Sequence, residues 1–209
     1  MEWQLPLQKV EIGNINIGSP WTSAQGAERT QKPMAPLSYF GTQFRLPFVS
    51  LIFPPLPVVE YNSATGKLVL DMFETNLASI KLNTLQDTII NAICYHQAVW
   101  FRTEFTKEEI SNGFQQIIQN NHLHLHCPAA AATHASEDAG VSEDNHNVRS
   151  IPLFKDGEWC KSFSPSDLKT GARIRVAVKI HGISFLTSAT GGWSGRCRLQ
   201  HRIVGIIAL

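Results

Sequence analysis

Apolar and polar residues alternate with a period of two over most of this chain, and the breaks in that period divide it into segments. The most regular alternation lies near the C-terminus. Over residues 172–181, Ile174, Val176, Val178 and Ile180 fall on one side, and Arg173, Arg175, Lys179 and His181 on the other, because successive strand side chains point to opposite faces. After Gly182 and a loop over residues 187–195, a returning strand sets Cys197, Leu199, His201 and Ile203 against Arg196, Arg198, Gln200 and Arg202. Two more hairpins are predicted. Residues 58–61 and 67–73 flank a turn ending at Gly66, and residues 151–154 and 158–163 flank Lys155-Asp156-Gly157, Asp-Gly being a strong turn signal. Residues 40–53 are rich in aromatic and β-branched types and stop at Pro54-Pro55-Leu56-Pro57, while residues 122–127 alternate again. In residues 1–18, Val10/Ile12 and Ile15/Ile17 are stepped by Gly13-Asn14, which suits a bulged strand or tight hairpin.

The period turns helical between Asn83 and Phe101, where Leu85, Ile89, Ile93 and Trp100 share a face and Asn83 or Thr84 is placed to cap. Thr106-Lys-Glu-Glu109 then reads as a capping box starting a second helix, with Ile110, Phe114, Ile117 and Ile118 on its buried side. Residues 19–37 have no period and read as a long loop carrying Trp21. Residues 128–147, built from Ala, Ser, Glu, Asp, Asn and His, read as a flexible insertion. The expectation is one α+β domain over residues 1–209, mainly antiparallel β, with a helical pair inserted at about 83–120.

Composition narrows the class. With 43% hydrophobic and 17% charged residues over 209 positions the chain has enough apolar material for a real core. No apolar run approaches the roughly 18 residues a membrane span needs, and the N-terminus has no secretory-signal pattern. Cys94, Cys127, Cys160 and Cys197 are widely spaced without a CxxC, so free thiols in a reducing compartment are expected. The formal net charge of +1 conceals a strong asymmetry. Seven of the 18 Lys and Arg, and none of the 17 Asp and Glu, lie between Leu168 and Leu209. Such a segment attracts polyanions.

The alternation puts that charge on one side of each strand, giving a candidate phosphate-binding face of Arg173, Arg175, Lys179, His181, Arg196, Arg198 and Arg202. A solvated outer sheet face is the competing reading. Single strands also need aromatic platforms, for which Trp193, Phe185 and Trp21 are the candidates. Whether the cations of the two strands share a face depends on register, since a one-residue slip sends Arg196, Arg198 and Arg202 to the other side. His122, His124 and His126 alternate on one strand face, but no fixed carboxylate or further spacing supports a metal site, and none is assigned. No nucleophile elbow, P-loop, HExxH or dinucleotide fingerprint occurs. A binding protein, not an enzyme, is expected, with no cofactor.

Several short motifs run in one order: the β-rich residues 36–73; Gln97-Ala-Val-Trp100-Phe101 followed by Thr106-Lys-Glu-Glu109-Ile110; Leu123-His-Leu125; Ile151-Pro-Leu-Phe154 with Asp156-Gly157; Asp167-Leu168 and Gly171; Val178-Lys-Ile-His-Gly182-Ile-Ser-Phe185; and Leu199-Gln200-His201. Over residues 36–207 the chain resembles the single-stranded-DNA-binding proteins of large nucleocytoplasmic DNA viruses, which are distantly similar to the phage T7 type. The resemblance implies an OB-like β-barrel and sequence-tolerant binding of single strands in viral DNA replication, recombination or repair. It also implies viral replication proteins as partners, a homo-oligomer, and an intracellular location in a host cytoplasmic viral factory or the nucleus. It makes the Trp100-Phe101 helix end core, and puts Arg173, Arg175, Lys179 and Gln200 in the binding groove. The acidic tail with a terminal aromatic found in phage-type members is not matched by Ile206-Ile207-Ala208-Leu209. The alternative function is a virion structural or protein-interaction module that docks an acidic partner on the basic sheet.

Overall fold

The computed structural model describes residues 4–21, 33–73, 76–127, 151–160, 163–189 and 191–209. Its strands in chain order are β1 (Leu5–Pro6), β2 (Ile15–Ile17), β3 (Met34–Phe40), β4 (Arg45–Leu46), β5 (Val49–Ile52), β6 (Leu56–Asn62) and β7 (Lys67–Asp71). Two helices follow, α1 (Asn76–Phe101) and α2 (Lys107–Gly113), and then β8 (Phe114–Gln115), β9 (Ile118–Gln119) and β10 (His122–His126). The chain ends with β11 (Leu153–Lys155), β12 (Glu158–Cys160), β13 (Arg173–Thr187) and β14 (Trp193–Ala208). The class is α+β and mainly antiparallel. The main path of the sheet runs β12-β11-β14-β13-β6-β7-β10-β9. Among the described residues the sheet is not closed into a barrel.

The long β13–β14 hairpin organises everything else. One edge of β13 takes β3, β5 and β6 in turn, and the other takes β14. Partners stacked end to end along one strand force it to bend, and three bulges provide the bends, one of them at His181 between Ile180 and Gly182. Gly182 pairs with Pro36, and the Ala35 carbonyl lies where a β-carbon would sit, so only glycine lets β3 come this close. This docking corrects the expected loop over residues 19–37, because 34–37 belong to β3. The earlier part, residues 22–32, lies outside the described residues, as does the expected flexible insertion at 128–147.

The inner face of the hairpin supplies much of the core: Ile174, Val176, Val178, Ile180, Ile183 and Phe185 meet Leu199, Ile203 and Ile206, all buried. α1 lies over this core with Ala78, Leu82, Leu85, Ile89 and Ile93 at helical spacing on its buried side. It begins at Asn76, two turns before the expected cap, so Thr84 lies inside the helix and turns its hydroxyl back to the Ile80 carbonyl (2.9 Å). It ends where Arg102 adopts a left-handed φ of 55°. Gln97, buried, then ties the exit loop by accepting from the Phe105 amide (2.7 Å) and donating to the Phe105 carbonyl (2.9 Å).

The Thr106–Glu109 capping box forms as expected, but α2 stops at Gly113. There the Gly195 backbone lies against Gly113, and Phe114 pairs in parallel with Cys197. Residues 114–115 and 118–119 are therefore β8 and β9, and the expected helical insertion over 83–120 becomes α1, a short α2 and two short strands. The Asp156-Gly157 turn has both residues at positive φ (54° and 86°), the I′ geometry that matches strand twist.

Candidate nucleic-acid interface

Register decides where the C-terminal cations go. Residues directly opposite in an antiparallel pair point to the same face. Lys179 is opposite Arg202, and Ser184 is opposite Arg198. The basic residues of β13 and β14 accordingly share the outer face of the hairpin, Gln200 included, since it is opposite Gly182. Arg173, Arg175, Arg196, Arg198 and Arg202 are exposed. Lys179 is not: it is buried, with its ammonium 3.7 Å from the centre of the Phe48 ring. The Gln200 amide donates to the buried Ser184 hydroxyl at 2.7 Å. His181 is half-buried at its bulge.

The aromatic candidates are placed differently from expectation. Phe185 is fully buried, and Trp193 is 6% exposed. Trp193 packs on Phe101 (ring centres 4.7 Å), Phe105 (5.1 Å) and Phe185 (5.6 Å), and its Nε1 donates to the Arg196 carbonyl at 2.9 Å. Trp100 joins the same group through Phe101 and Phe185. These rings are core, packed where the tip of the hairpin meets the end of α1, and neither Phe185 nor Trp193 offers a face to a base. Trp21 is 50% exposed and bridges to Met34.

Sequence reasoning missed a different aromatic. Trp159, 61% exposed, is opposite Phe154 on β11, and their rings lie 5.2 Å apart. Phe154 is in register with Ile207, and Ile207 with Arg175. One row across four strands thus reads Trp159, Phe154, Ile207, Arg175. A shallow cleft of about 50 Å³ between Trp159 and Arg175 is floored by the small residues Ala177 and Gly205. From Arg175 to Ser184, level with Arg198, nine residues of strand extend roughly 30 Å at about 3.3 Å per residue. The signal for Trp159 was available in the Asp156-Gly157 hairpin, but its placement beside Arg175 depends on β11 joining β14 in parallel.

A second polar feature borders this face. The edge of β14 pairs with β8 at residues 197–198 and with β11 at 206–207, and no strand pairs the stretch between them among the described residues. β10 approaches that edge without pairing with it, leaving a seam of about 630 Å³ between them. His124, His126, His201, Arg198 and Lys67 line it. Burial lowers the His201 imidazole from its usual 6.5, with His126 and Arg198 adding repulsion and the Leu199 carbonyl opposing. Burial also lowers His124, reinforced by Lys67 and His122 and opposed by Glu60. No cluster of three or more His, Cys, Asp or Glu with metal-binding geometry occurs among the described residues. Cys127 and Cys197 are buried, and burial pushes both thiols up to about 12, far from a reactive thiolate.

Compared with family models, with curated proteins and with solved structures, the chain matches none. No helix among the described residues is long and apolar enough to cross a membrane.

Proposed function

We propose that the outer face of the β13–β14 hairpin binds single-stranded nucleic acid without regard to sequence, DNA being the ligand favoured by the motif resemblance. The observation that carries this reading is the register, which gathers Arg175, Arg198 and Arg202 on one face and ends that face in the exposed Trp159, packed against the half-buried Phe154. Guanidinium groups neutralise phosphates and release counterions, while an exposed indole stacks on an unpaired base of any identity. Lys179 beneath Phe48 contributes field from below the surface, not a direct contact. The OB-like form that the motif resemblance implies belongs to the same proposal, and the mainly antiparallel sheet is compatible with it. A role in viral DNA replication, recombination or repair belongs to the same proposal and rests on the motifs alone.

The test is titration of labelled oligothymidylate against a duplex of equal length. Tighter binding to the single strand, with loss of roughly 5- to 150-fold in affinity in Trp159→Ala, as about 1–3 kcal/mol per stacked base implies, supports the reading. Equal binding of the duplex, or an unchanged titration in the variant, overturns it.

A further inference from the structure

The seam between β10 and β14 has a chemistry of its own. Its lining includes His124, His126, His201, Arg198 and Lys67, with glutamines at 115, 116, 119 and 200, and no carboxylate. A counter-charge stands at its border, Glu60, which is bound to the Lys67 ammonium at 2.9 Å and acts on His124. A polar cavity of about 630 Å³ is well within the range of small-ligand sites. His201 Nε2 is buried there without a hydrogen-bond partner, while Nδ1 lies 3.4 Å from the Leu199 carbonyl. With Nδ1–H toward the Leu199 carbonyl, the neutral Nε2 presents a lone pair, so an acceptor ligand satisfies it only together with a proton, recovering the cost of the unpaired nitrogen. Cations, amide donors and a waiting imidazole together fit an oxyanion with several acceptor oxygens.

We propose that this seam is a proton-coupled phosphate site, separate from the outer face, that takes the phosphate of a nucleotide or nucleic-acid end. The two surfaces meet at Arg198 and Gln200, but Trp159 and Arg175 do not line the seam, and the histidines do not belong to the outer face. The groups facing His124 are Lys67 on β7, His122 on its own strand and Glu60 on β6; those facing His201 are His126 on β10 and Arg198 on β14. Burial and the nearby Lys67 and Arg198 hold these imidazoles below their usual range, and the charge of an arriving anion draws a proton onto them. Acid therefore tightens binding.

The experiment follows the histidine ring resonances of the whole chain by NMR while inorganic phosphate or thymidine monophosphate is added at about pH 6 and about pH 8. The site predicts shifts at His124, His126 and His201 and, after correction for the phosphate's own second ionisation at about pH 6, a dissociation constant lower by up to about tenfold at the acid pH through proton uptake by the site. His124→Gln/His201→Gln, both at half-buried positions, should lose that pH dependence while oligothymidylate affinity at about pH 8 changes by less than about twofold. Competition by oligothymidylate for the shifted resonances makes the occupant a strand phosphate, its absence makes it a free phosphate ester, and either upholds the site. No shift with either anion, or pH dependence that survives in the double variant, overturns it. Because Trp159→Ala tests the outer face without touching the seam, failure of one reading is distinguishable from failure of the other.

Discussion

Truncating Trp193 tests the placement of the aromatic residues most sharply, because sequence and structure give this residue different jobs. A tryptophan side chain removes roughly 150–250 Å² from water when buried. Trp193 is 94% buried in this sense, being 6% exposed. At about 25 cal/mol per Å² this amounts to about 4–6 kcal/mol as an upper figure, since the unfolded chain already hides some of that area. Large-to-small core changes of this kind cost about 3–5 kcal/mol. Loss of the 2.9 Å bond from Nε1 to the Arg196 carbonyl adds about 1 kcal/mol. Trp193→Ala should therefore lose about 4 kcal/mol, a large part of the 5–15 kcal/mol typical of a domain. Trp193→Phe keeps a ring against Phe101 and Phe105, and should lose about 1–2 kcal/mol. Urea unfolding followed by circular dichroism gives both numbers, and the folded Phe variant can then be titrated with oligothymidylate. Affinity within about twofold of the parent is expected, since the residue does not reach the outer face. A Phe variant with an unchanged urea midpoint and tenfold weaker binding would refute the placement and return Trp193 to the interface.

Further outcomes follow from local features. Thr106→Ala removes the acceptor for the Glu109 amide (3.2 Å) and should cost about 1 kcal/mol in urea unfolding, with no change in oligonucleotide affinity. In phosphate-free buffer, stability should fall as the pH drops below about 6.5: His124 and His201 are lowered in the folded state, so the unfolded chain takes up protons first and is favoured in acid. A thermal midpoint that is flat or rising from about pH 7 to about pH 5 would contradict this. Trp159→Ala, weak in binding, should keep a urea midpoint close to the parent's, because its ring is mostly exposed.

What the sequence made legible was local in origin. The two faces of β13 and β14 follow from period-two alternation, the Thr106–Glu109 box from a four-residue motif, and the β11–β12 turn from Asp156-Gly157. Errors arose where distant contacts override local pattern. Ile110, Phe114, Ile117 and Ile118 have helical spacing, yet Phe114 leaves the helix because Cys197 offers it a strand edge. Trp193 lies in a glycine-rich stretch that looks exposed, yet the end of α1 arrives to cover it. Coincidence of the cationic faces was the hardest point, because bulges at three places in the hairpin change the count between strands, and alternation alone cannot place them. The seam was invisible for the same reason: it exists only where β10 and β14 come together without pairing.

The central claim is that arginines of the two hairpin strands contact phosphate from one face, and the salt dependence of binding measures this directly. Oligothymidylate affinity should fall linearly on a logarithmic scale between about 50 and 200 mM salt, each phosphate contact contributing about 0.7 to the slope for a single strand. Arg198→Ala/Arg202→Ala should lower the magnitude of that slope by about 1.4, while weakening binding at every salt concentration. Absence of binding at low salt, or a slope unchanged by removing both arginines, would contradict the account.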